Sequence, residues 1–348
     1  VPDEPNDFWA EQFDIVLLTQ ADAVEKHLPF DKSKYAYIGE YIEVAKALGF
    51  DLVNPDRVIH YLNYQRAYKT DYELICMREA NRIAVDGHRA AKIAFEQGLS
   101  EFDINLAYLC AVRQGDNQVP YNNIVALNEN ASILHYTELA QESPAVTRSF
   151  LIDAGANFNG YAADITRTYS FKQDRFAELI ARMNQLMLSA VDALKPGTSY
   201  SDVHIATYKE IAKVLAEFDF IKVSADTAVE SGIVSAFFPH GLGHHLGLQV
   251  HDVGGFMADE RGTHINAPEQ HPFLRTSRVI EAGQAFTVEP GLYFIDSLLQ
   301  GVKDSSHSDQ VNWNNVDKMR AFGGIRIEDN IIVHQSHNEN MTRDSGLD

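Results

Sequence analysis

Cysteine is scarce in this chain, because Cys76 and Cys110 are the only two among 348 residues. Both lie in apolar, helical patterns, so we expect two buried free thiols rather than a disulfide, as is usual in a reducing compartment. No apolar run approaches the roughly 20 residues that a membrane-spanning helix needs, and no secretory signal pattern is visible. These features favour a cytoplasmic protein without a membrane partner.

Positive charge is also scarce. The chain has 29 Lys and Arg against 49 Asp and Glu, which gives a net charge of −20. No basic run or patch is visible, and this argues against a nucleic-acid partner. With 45% hydrophobic residues the chain can bury a sizeable core. We therefore expect a globular protein of one large or two ordinary domains.

Helical and extended patterns follow one another in a way that predicts an α+β fold. Thr70 and Glu73 have the spacing of a capping box, which predicts a helix start and a domain boundary between residues 70 and 71. That helix and a second one after Gly98 form one pair, and 176–194 and 202–218 form another. Each pair precedes a strand-rich region, so we expect a duplicated unit with antiparallel sheet.

Residues 1–70 have weaker signals. Segments 14–18 and 35–39 are predicted strands, and 41–48 is a predicted helix that ends before Gly49. This part is short and irregular for an independent domain.

Four carboxylates stand in or beside predicted strands. Asp153 ends Ser149–Asp153, and Asp164 lies in 162–169, the other arm of a predicted hairpin. Glu289 ends the strand 285–289, and Glu328 lies in 325–333. Each is flanked by apolar residues, where an unpaired carboxylate is costly to bury. Solvent-exposed strand ends, or a salt bridge from Arg326 to Glu328, are the alternatives.

The segment Phe238–Gly247 concentrates histidine and glycine, with His240, His244 and His245, and His251 follows. The glycines let backbone and imidazoles approach a common centre. Their spacing is not that of a dinucleotide-binding loop, and the HExxH pattern of zinc proteases is absent. Histidines satisfied by loop carbonyls are the structural alternative.

Taken together, Asp153, Asp164, His244, Glu289 and Glu328 can neutralise and hold two divalent cations. Such ions lie about 3.5–4 Å apart and activate a shared water, whose pKa falls towards about 7. The residues therefore predict a metal-assisted hydrolase.

Four motifs identify a family resemblance that runs from about Asp71 to the carboxyl terminus. They are LIDAGANFNGYAADITRTY, HGLGHHLGLQVHDVGG, TVEPGLYF and GIRIEDN. The chain resembles the pita-bread metallopeptidases, which include methionine aminopeptidase, aminopeptidase P and prolidase. This implies a pseudo-symmetric, curved antiparallel sheet covered by helices over 71–348, with 1–70 as part of a smaller α/β amino-terminal domain.

The same resemblance implies a dinuclear site, most often of manganese, with cobalt, zinc or iron also compatible with the ligand types. By the family pattern, Asp153 binds one ion and His244 the other. Asp164 and Glu328 bridge both ions, while Glu289 binds metal and carries a proton. Homodimerisation is implied where the amino-terminal domain is intact.

Further residues are candidates for contact with the substrate. His251 is our first candidate to donate to the developing oxyanion, and His240 is the second. The resemblance suggests His135 and Arg275 as partners of the substrate carboxylate. Arg326 either supports Glu328 or reaches the substrate. Tyr121 is a candidate for the pocket wall.

Within the family, ALNENASILHYT and FLRTSR resemble the bacterial Xaa-Pro dipeptidases, also known as organophosphorus acid anhydrolases. The expected activity is hydrolysis of Xaa-Pro dipeptides, with hydrolysis of organophosphorus triesters and phosphorofluoridates by the same activated water. An aminopeptidase P-like exopeptidase is the alternative, and a non-catalytic binding module of the same fold is another.

Overall fold

The computed structural model describes residue 18 and residues 20–29 and 31–348. The strand predicted at 14–18 lies outside these residues except for its last position. The chain divides into two compact units, Val1–Tyr61 and Leu62–Asp348. The domain division predicted between residues 70 and 71 stays a prediction.

The first unit contains a small parallel pair of strands. Its described elements are short helical turns at Ala21–His27 and Lys32–Lys34, β1 (Ala36–Tyr37), α1 (Ile42–Ala47) and β2 (Leu52–Val53). Ala36 lies opposite Leu52 in the register. The predicted strand at 35–39 and the predicted helix at 41–48 are confirmed with shorter bounds, and the helix is followed by Gly49 at φ 86°.

The second unit contains two long helix pairs and several short helices. The remaining helices are α2 (Asp56–Gln65, which starts in the first unit), α3 (Asp71–Glu96), α4 (Glu101–Val112), α5 (Arg175–Ala193), α6 (Tyr200–Glu217), α7 (Ala225–Glu230), α8 (Asp296–Lys303), α9 (Trp313–Met319) and α10 (Met341–Asp344). The capping box is confirmed, since Thr70 N–H donates to Glu73 at 2.7 Å. None of the described helices is long and apolar enough to cross a membrane.

The strands of the second unit form two three-stranded antiparallel sheets and two small ribbons. They are β3 (Ile124–Leu127), β4 (Ser149–Asp153), β5 (Asn157–Phe158), β6 (Tyr161–Ala162), β7 (Thr166–Ser170), β8 (Ala285–Val288), β9 (Gly291–Tyr293), β10 (Gly324–Arg326), β11 (Asp329–Val333) and β12 (Asn338–Asn340). The sheet orders are β3-β4-β7 and β12-β11-β8, with ribbons β5-β6 and β10-β9. One helix pair precedes each sheet, as the repeated sequence pattern predicts.

The two sheets meet at Thr166 and Glu328. These residues form an isolated antiparallel bridge, in which Glu328 N–H donates to the Thr166 carbonyl at 3.0 Å. The buried Arg167 guanidinium donates to the carbonyls of Thr166 and Glu328 at 3.0 and 2.8 Å and pairs with Asp329 at 2.7 Å. The Arg167 side chain thus satisfies the backbone carbonyls at the point where the two sheets join.

Two predicted strands are interrupted. The pattern over 162–169 predicts one strand, but β6 and β7 are separated by residues 163–165. Likewise β10 and β11 are separated by Ile327 and Glu328. At the first break Asp164 N–H donates to the side-chain oxygen of Asn330 at 2.9 Å rather than to a backbone carbonyl of a neighbouring strand. Each break therefore carries one of the predicted metal ligands.

The largest apolar core lies around α5 and α6 and includes Phe176, Met183, Ile211 and Phe286. A second core packs α3 and α4 against β3 and β4. Cys76 is a buried free thiol as expected, but the prediction was wrong for Cys110, which is free and exposed. The reason is its position on the face of α4 opposite the side that packs against the core.

The Glu339 carboxylate supports the packing of β12 against α3. It accepts from Arg78 at 2.5 and 2.8 Å and lies 2.9 Å from His334 Nε2. The hydrogen-bonded Arg78 guanidinium, with a smaller effect from His334, lowers the pKa of Glu339 to about 2. A lowered pKa stabilises the fold above the ordinary value near 4.5, and this stabilisation is lost as pH falls towards 2.

We expect Glu339→Gln to lower the melting temperature of the protein, freed of metal by a chelator, by roughly 1–3 °C at pH 6–7. The decrease comes from the lost ion pair with Arg78, and it is small because this pair is partly exposed. The difference from the parent should shrink as pH falls below about 4.5. Calorimetry across pH 3–7 measures it, and Glu96→Gln at an exposed helical pair is the control. A gap independent of pH would contradict this assignment.

Candidate metal centre

The five predicted ligands come from strand ends, strand breaks and one glycine-rich loop. Asp153 is the last residue of β4, and Glu289 follows β8. Asp164 and Glu328 lie in the two strand breaks, and His244 lies in the loop before β8. At such positions a side chain is not committed to one face of a continuous sheet, so ligands from both sheets can face one point.

The structure brings three of these residues into one group. Ligand atoms of Asp164, His244 and Glu328 all lie within 4.8 Å of one another. Glu289 lies beside this group, with its Oε1 3.7 Å from His244 Nε2, while Asp164 Oδ2 is 3.3 Å from the same nitrogen. Asp153 joins through Tyr121, whose hydroxyl lies 2.8 Å from Asp153 and 2.5 Å from Asp164. All five predicted ligands therefore face one region.

The backbone around His244 fixes the ring's orientation. His244 Nδ1 lies 2.9 Å from the His245 carbonyl, which requires the Nδ1 proton and leaves Nε2 towards Asp164 and Glu289. Thr287 N–H donates to the His244 carbonyl at 2.9 Å. Gly243 allows this approach, because a Cβ there would collide with the Thr287 carbonyl and the Tyr200 hydroxyl.

The pKa values of the four carboxyl groups reflect their burial and their closeness to one another. Burial, followed by repulsion from neighbouring carboxylates, raises the pKa of Glu328 well above its ordinary value. Burial also raises the pKa of Asp153 and brings that of Glu289 to about 7. Burial acts in the same direction on Asp164, but the His244 imidazole holds the pKa of this carboxyl below its ordinary value. The protein alone does not supply enough positive charge for all four acids.

The donor set fits divalent ions. Glu328 Oε2 accepts from Thr166 at 2.7 Å, whereas Oε1 is buried and has no hydrogen-bond partner. Such an orphaned carboxylate oxygen is costly unless a cation satisfies it. Four carboxylates with one imidazole are ligands for borderline to hard divalent metals.

Arg326 does not pair with Glu328. Its guanidinium is buried and pairs with Asp153 at 2.8 Å, and it also donates to Tyr293 at 2.7 Å and Thr166 at 3.2 Å. The alternative of a direct salt bridge from Arg326 to Glu328 is therefore wrong, because the break at Glu328 turns the two side chains to different partners. Arg326 reaches Glu328 only through the Thr166 hydroxyl, which accepts from Arg326 and donates to Glu328 at 2.7 Å. Arg326 instead neutralises part of the charge on Asp153.

A cavity of about 510 Å³ opens beside this group, within the usual size range of small-molecule sites. Asp153 and Asp164 lie in its wall, together with Tyr121, His135 and His251. Apolar lining comes from Pro120, Ile124, Leu248 and Val250. The cavity wall therefore contains both charged and apolar side chains.

The other predicted contact residues have different surroundings. His251 lies 4.3 Å from the His244 ring, and its pKa is lowered to about 4 by partial loss of solvent, with the charges of His244 and Arg275 adding to the effect. Arg275 and His135 are exposed. Both nitrogens of His240 are engaged, by the Gly241 carbonyl at 2.8 Å and Tyr293 at 2.9 Å. His251 is therefore better placed than His240 to donate into the cavity.

The sequence interpretation missed Thr166, Tyr293 and Asn330. Thr166 donates to Glu328, Tyr293 joins Arg326 to His240, and Asn330 holds the Asp164 backbone. Thr166 and Asn330 each lie two residues after a predicted ligand. In a continuous strand, residues two positions apart face the same side, so this spacing could have placed Thr166 and Asn330 beside the ligands. Because both strands are interrupted, the spacing alone does not predict these contacts.

Comparison with protein families matches residues 75–335 to "Metallopeptidase family M24" and residues 1–64 to "Xaa-Pro dipeptidase, N-terminal domain". The Xaa-Pro dipeptidase of Pseudoalteromonas atlantica is 67% identical over 351 residues, which cover 100% of this chain and 79% of that protein. The Xaa-Pro dipeptidase of Colwellia psychrerythraea is 67% identical over 340 residues, 98% of this chain and 77% of that protein.

Solved structures of aminopeptidase P are also similar. Proline aminopeptidase P II from Yersinia pestis has a TM-score of 0.69 at 27% identity and covers 94% of this chain. This chain spans 73% of that protein. Escherichia coli aminopeptidase P in complex with substrate has a TM-score of 0.67 at 27% identity over 88% of this chain, which spans only 63% of that chain.

We expect Glu328→Gln to stabilise the metal-free protein and to weaken the stabilisation that bound metal gives. In chelated protein it should raise the melting temperature by about 2–4 °C, because it removes a buried charge whose pKa is raised. The rise in melting temperature on adding Mn²⁺ should largely disappear, because binding stabilises only where ligands remain. Differential scanning calorimetry and elemental analysis measure both.

Asp192→Asn, an exposed carboxylate on α5, is the matched control and should leave both melting temperatures unchanged. A lower melting temperature for Glu328→Gln in the chelated protein would show that Glu328 stabilises the fold without metal.

Proposed function

The chain belongs to metallopeptidase family M24, and on that premise we propose that it hydrolyses Xaa-Pro dipeptides. The observation that carries this proposal is the convergence of ligand atoms of Asp164, His244 and Glu328 within 4.8 Å, with Asp164 also in the wall of a cavity of about 510 Å³. The names of relatives that are 67% identical support the substrate class.

Two divalent ions would be held by Asp153, Asp164, His244, Glu289 and Glu328. We propose that Asp153 serves one ion and His244 the other, with Asp164 and Glu328 shared. When bound, such ions supply Lewis-acid polarisation of the scissile carbonyl and activation of a water. We favour Mn²⁺, although Co²⁺, Zn²⁺ and Fe²⁺ suit the same ligands.

The chain's own residues would orient the substrate and move protons. Glu289 is 18% exposed and lies between His244 and His240, where a carboxylate can pass a proton to the departing proline nitrogen. His251, at the cavity wall, would donate to the substrate carbonyl oxygen. Arg326, buried against Asp153, would act on the substrate through that carboxylate.

Recognition of a dipeptide requires a cation for the carboxylate of proline. We propose His135 and Arg275 for this contact. Both are exposed. Partial loss of solvent is the main cause of the lowered pKa of His251, and the charge of Arg275 adds to it. Tyr121, with its ring in the cavity wall, would limit the space around the proline ring.

We propose organophosphorus hydrolysis as a second activity of the same centre. The Lewis-acid chemistry that bound ions would supply suits a phosphoryl oxygen as well as a carbonyl, and the apolar wall at Leu248 and Val250 would receive alkoxy groups. Fluoride release from a phosphorofluoridate tests it. Release at the rate of the metal-free protein would contradict it.

We also propose that the protein acts in the cytoplasm and forms a homodimer when its amino-terminal domain is complete. The free thiols Cys76 and Cys110 suit a reducing compartment.

The substrate proposal predicts that Mn²⁺-loaded protein cleaves Leu-Pro and Gly-Pro at least about tenfold better, in kcat/KM, than Leu-Pro-Gly or Leu-Ala. A longer peptide needs space where the dipeptide carboxylate is held. Chromatography of the released amino-terminal residue, leucine or glycine, measures the rates for all four peptides. A preference for Leu-Pro-Gly would instead assign an aminopeptidase P activity.

We expect Arg275→Gln to raise KM for Leu-Pro about tenfold, because a charge-assisted contact to the carboxylate is lost. The same substitution should change KM little for Leu-Pro amide, which lacks that carboxylate. Lys195→Gln, an exposed residue after α5, is the control. An equal change with both substrates would exclude Arg275 as the carboxylate partner.

A further inference from the structure

We propose that Glu101 is a positioning residue, which holds the segment 127–140 so that His135 faces the substrate cavity. The inference rests on the proposed function, since it takes His135 as a contact of the substrate. Glu101 itself lies outside the cavity wall and reaches the substrate only through this segment.

Glu101 is the first residue of α4 and is only 1% exposed. Its Oε1 accepts from Leu127 N–H at 2.7 Å and from the Asn130 amide at 2.9 Å. Its Oε2 accepts from the Tyr136 hydroxyl at 2.7 Å and Ala140 N–H at 2.8 Å. A carboxylate has about four accepting positions, and all four neighbours donate here. No neutral side chain of the same shape can satisfy this set.

After Leu127, the segment that Glu101 binds contains neither a strand nor a long helix. It consists of a short helical turn, Asn128–Ser132, followed by turn and irregular backbone. Asn128 and Leu139 adopt positive φ, 56° and 51°. Leucine is disfavoured there because of its Cβ. The bond from Glu101 to Ala140, the next residue, stabilises this conformation.

Tyr136 links the anchored side of the segment to the cavity. Its ring is buried in a small apolar cluster with Ile124, Ala131 and Leu151, while its hydroxyl donates to Glu101. His135, the preceding residue, is exposed and lines the cavity. Because the two residues are consecutive, fixing the Tyr136 ring fixes the direction in which His135 leaves the backbone.

Glu101→Gln tests this role with little change of shape. The amide keeps one acceptor oxygen, but its NH₂ group would face N–H or O–H donors on the other side. We expect faster hydrogen exchange at 128–140, and about a tenfold higher KM for Leu-Pro with kcat changed less than twofold. Bound metal should be unchanged, because Glu101 contacts none of the five proposed ligands.

A double-mutant cycle separates positioning from general loosening. If Glu101 acts through His135, Glu101→Gln should raise KM in the parent but have little further effect in a His135→Ala background. Glu129→Gln is the matched control, since Glu129 is exposed on the wall of the small cavity that Glu101 also lines. It should leave exchange and KM unchanged.

Unchanged exchange at 128–140 in Glu101→Gln would overturn the inference. So would an equal rise in KM with and without His135. If the parent protein cleaves no Xaa-Pro dipeptide, the proposed function fails, and the exchange result still decides whether Glu101 holds the segment.

Discussion

Mutual repulsion among buried carboxylates is the constraint on which this structure depends. Asp153, Asp164, Glu289 and Glu328 share one region, in which the His244 imidazole lies beside Asp164 and Glu289. The raised pKa values of Asp153, Glu289 and Glu328 show that the fold holds them at a cost. Bound cations would remove this cost while the acids stay ionised, and the proposed hydrolysis would use the positive charge of those cations.

A supporting layer of hydrogen bonds keeps the cluster in place. Thr166 donates to Glu328, Asn330 holds the backbone of Asp164, and Arg326 pairs with Asp153. Arg167 joins the two sheets at the same point by binding the carbonyls of Thr166 and Glu328. These contacts orient the acids and leave Glu328 Oε1 without a hydrogen-bond partner. Glu101 would play a similar part for the substrate side of the cavity.

Local patterns predicted the elements that carry the site. The capping box at Thr70, the strand Ser149–Asp153 and the two helix pairs are confirmed. The continuous strands predicted through Asp164 and Glu328 are interrupted, because these residues exchange hydrogen bonds with the opposite sheet. Arg326 was expected beside Glu328, since two residues of one strand share a face. The break in the strand ended that relation and left Arg326 on Asp153.

The sequence by itself determined the chemical character of the centre: acids in apolar surroundings, a histidine among glycines, and motifs specific enough to identify the family. These are local properties, and a residue's type and neighbours are sufficient to read them. Tertiary structure alone decided which oxygen of Glu328 stays unpaired, which acid Arg326 neutralises and which segment Glu101 holds. Those outcomes depend on contacts between residues more than 25 positions apart, which local sequence patterns do not encode.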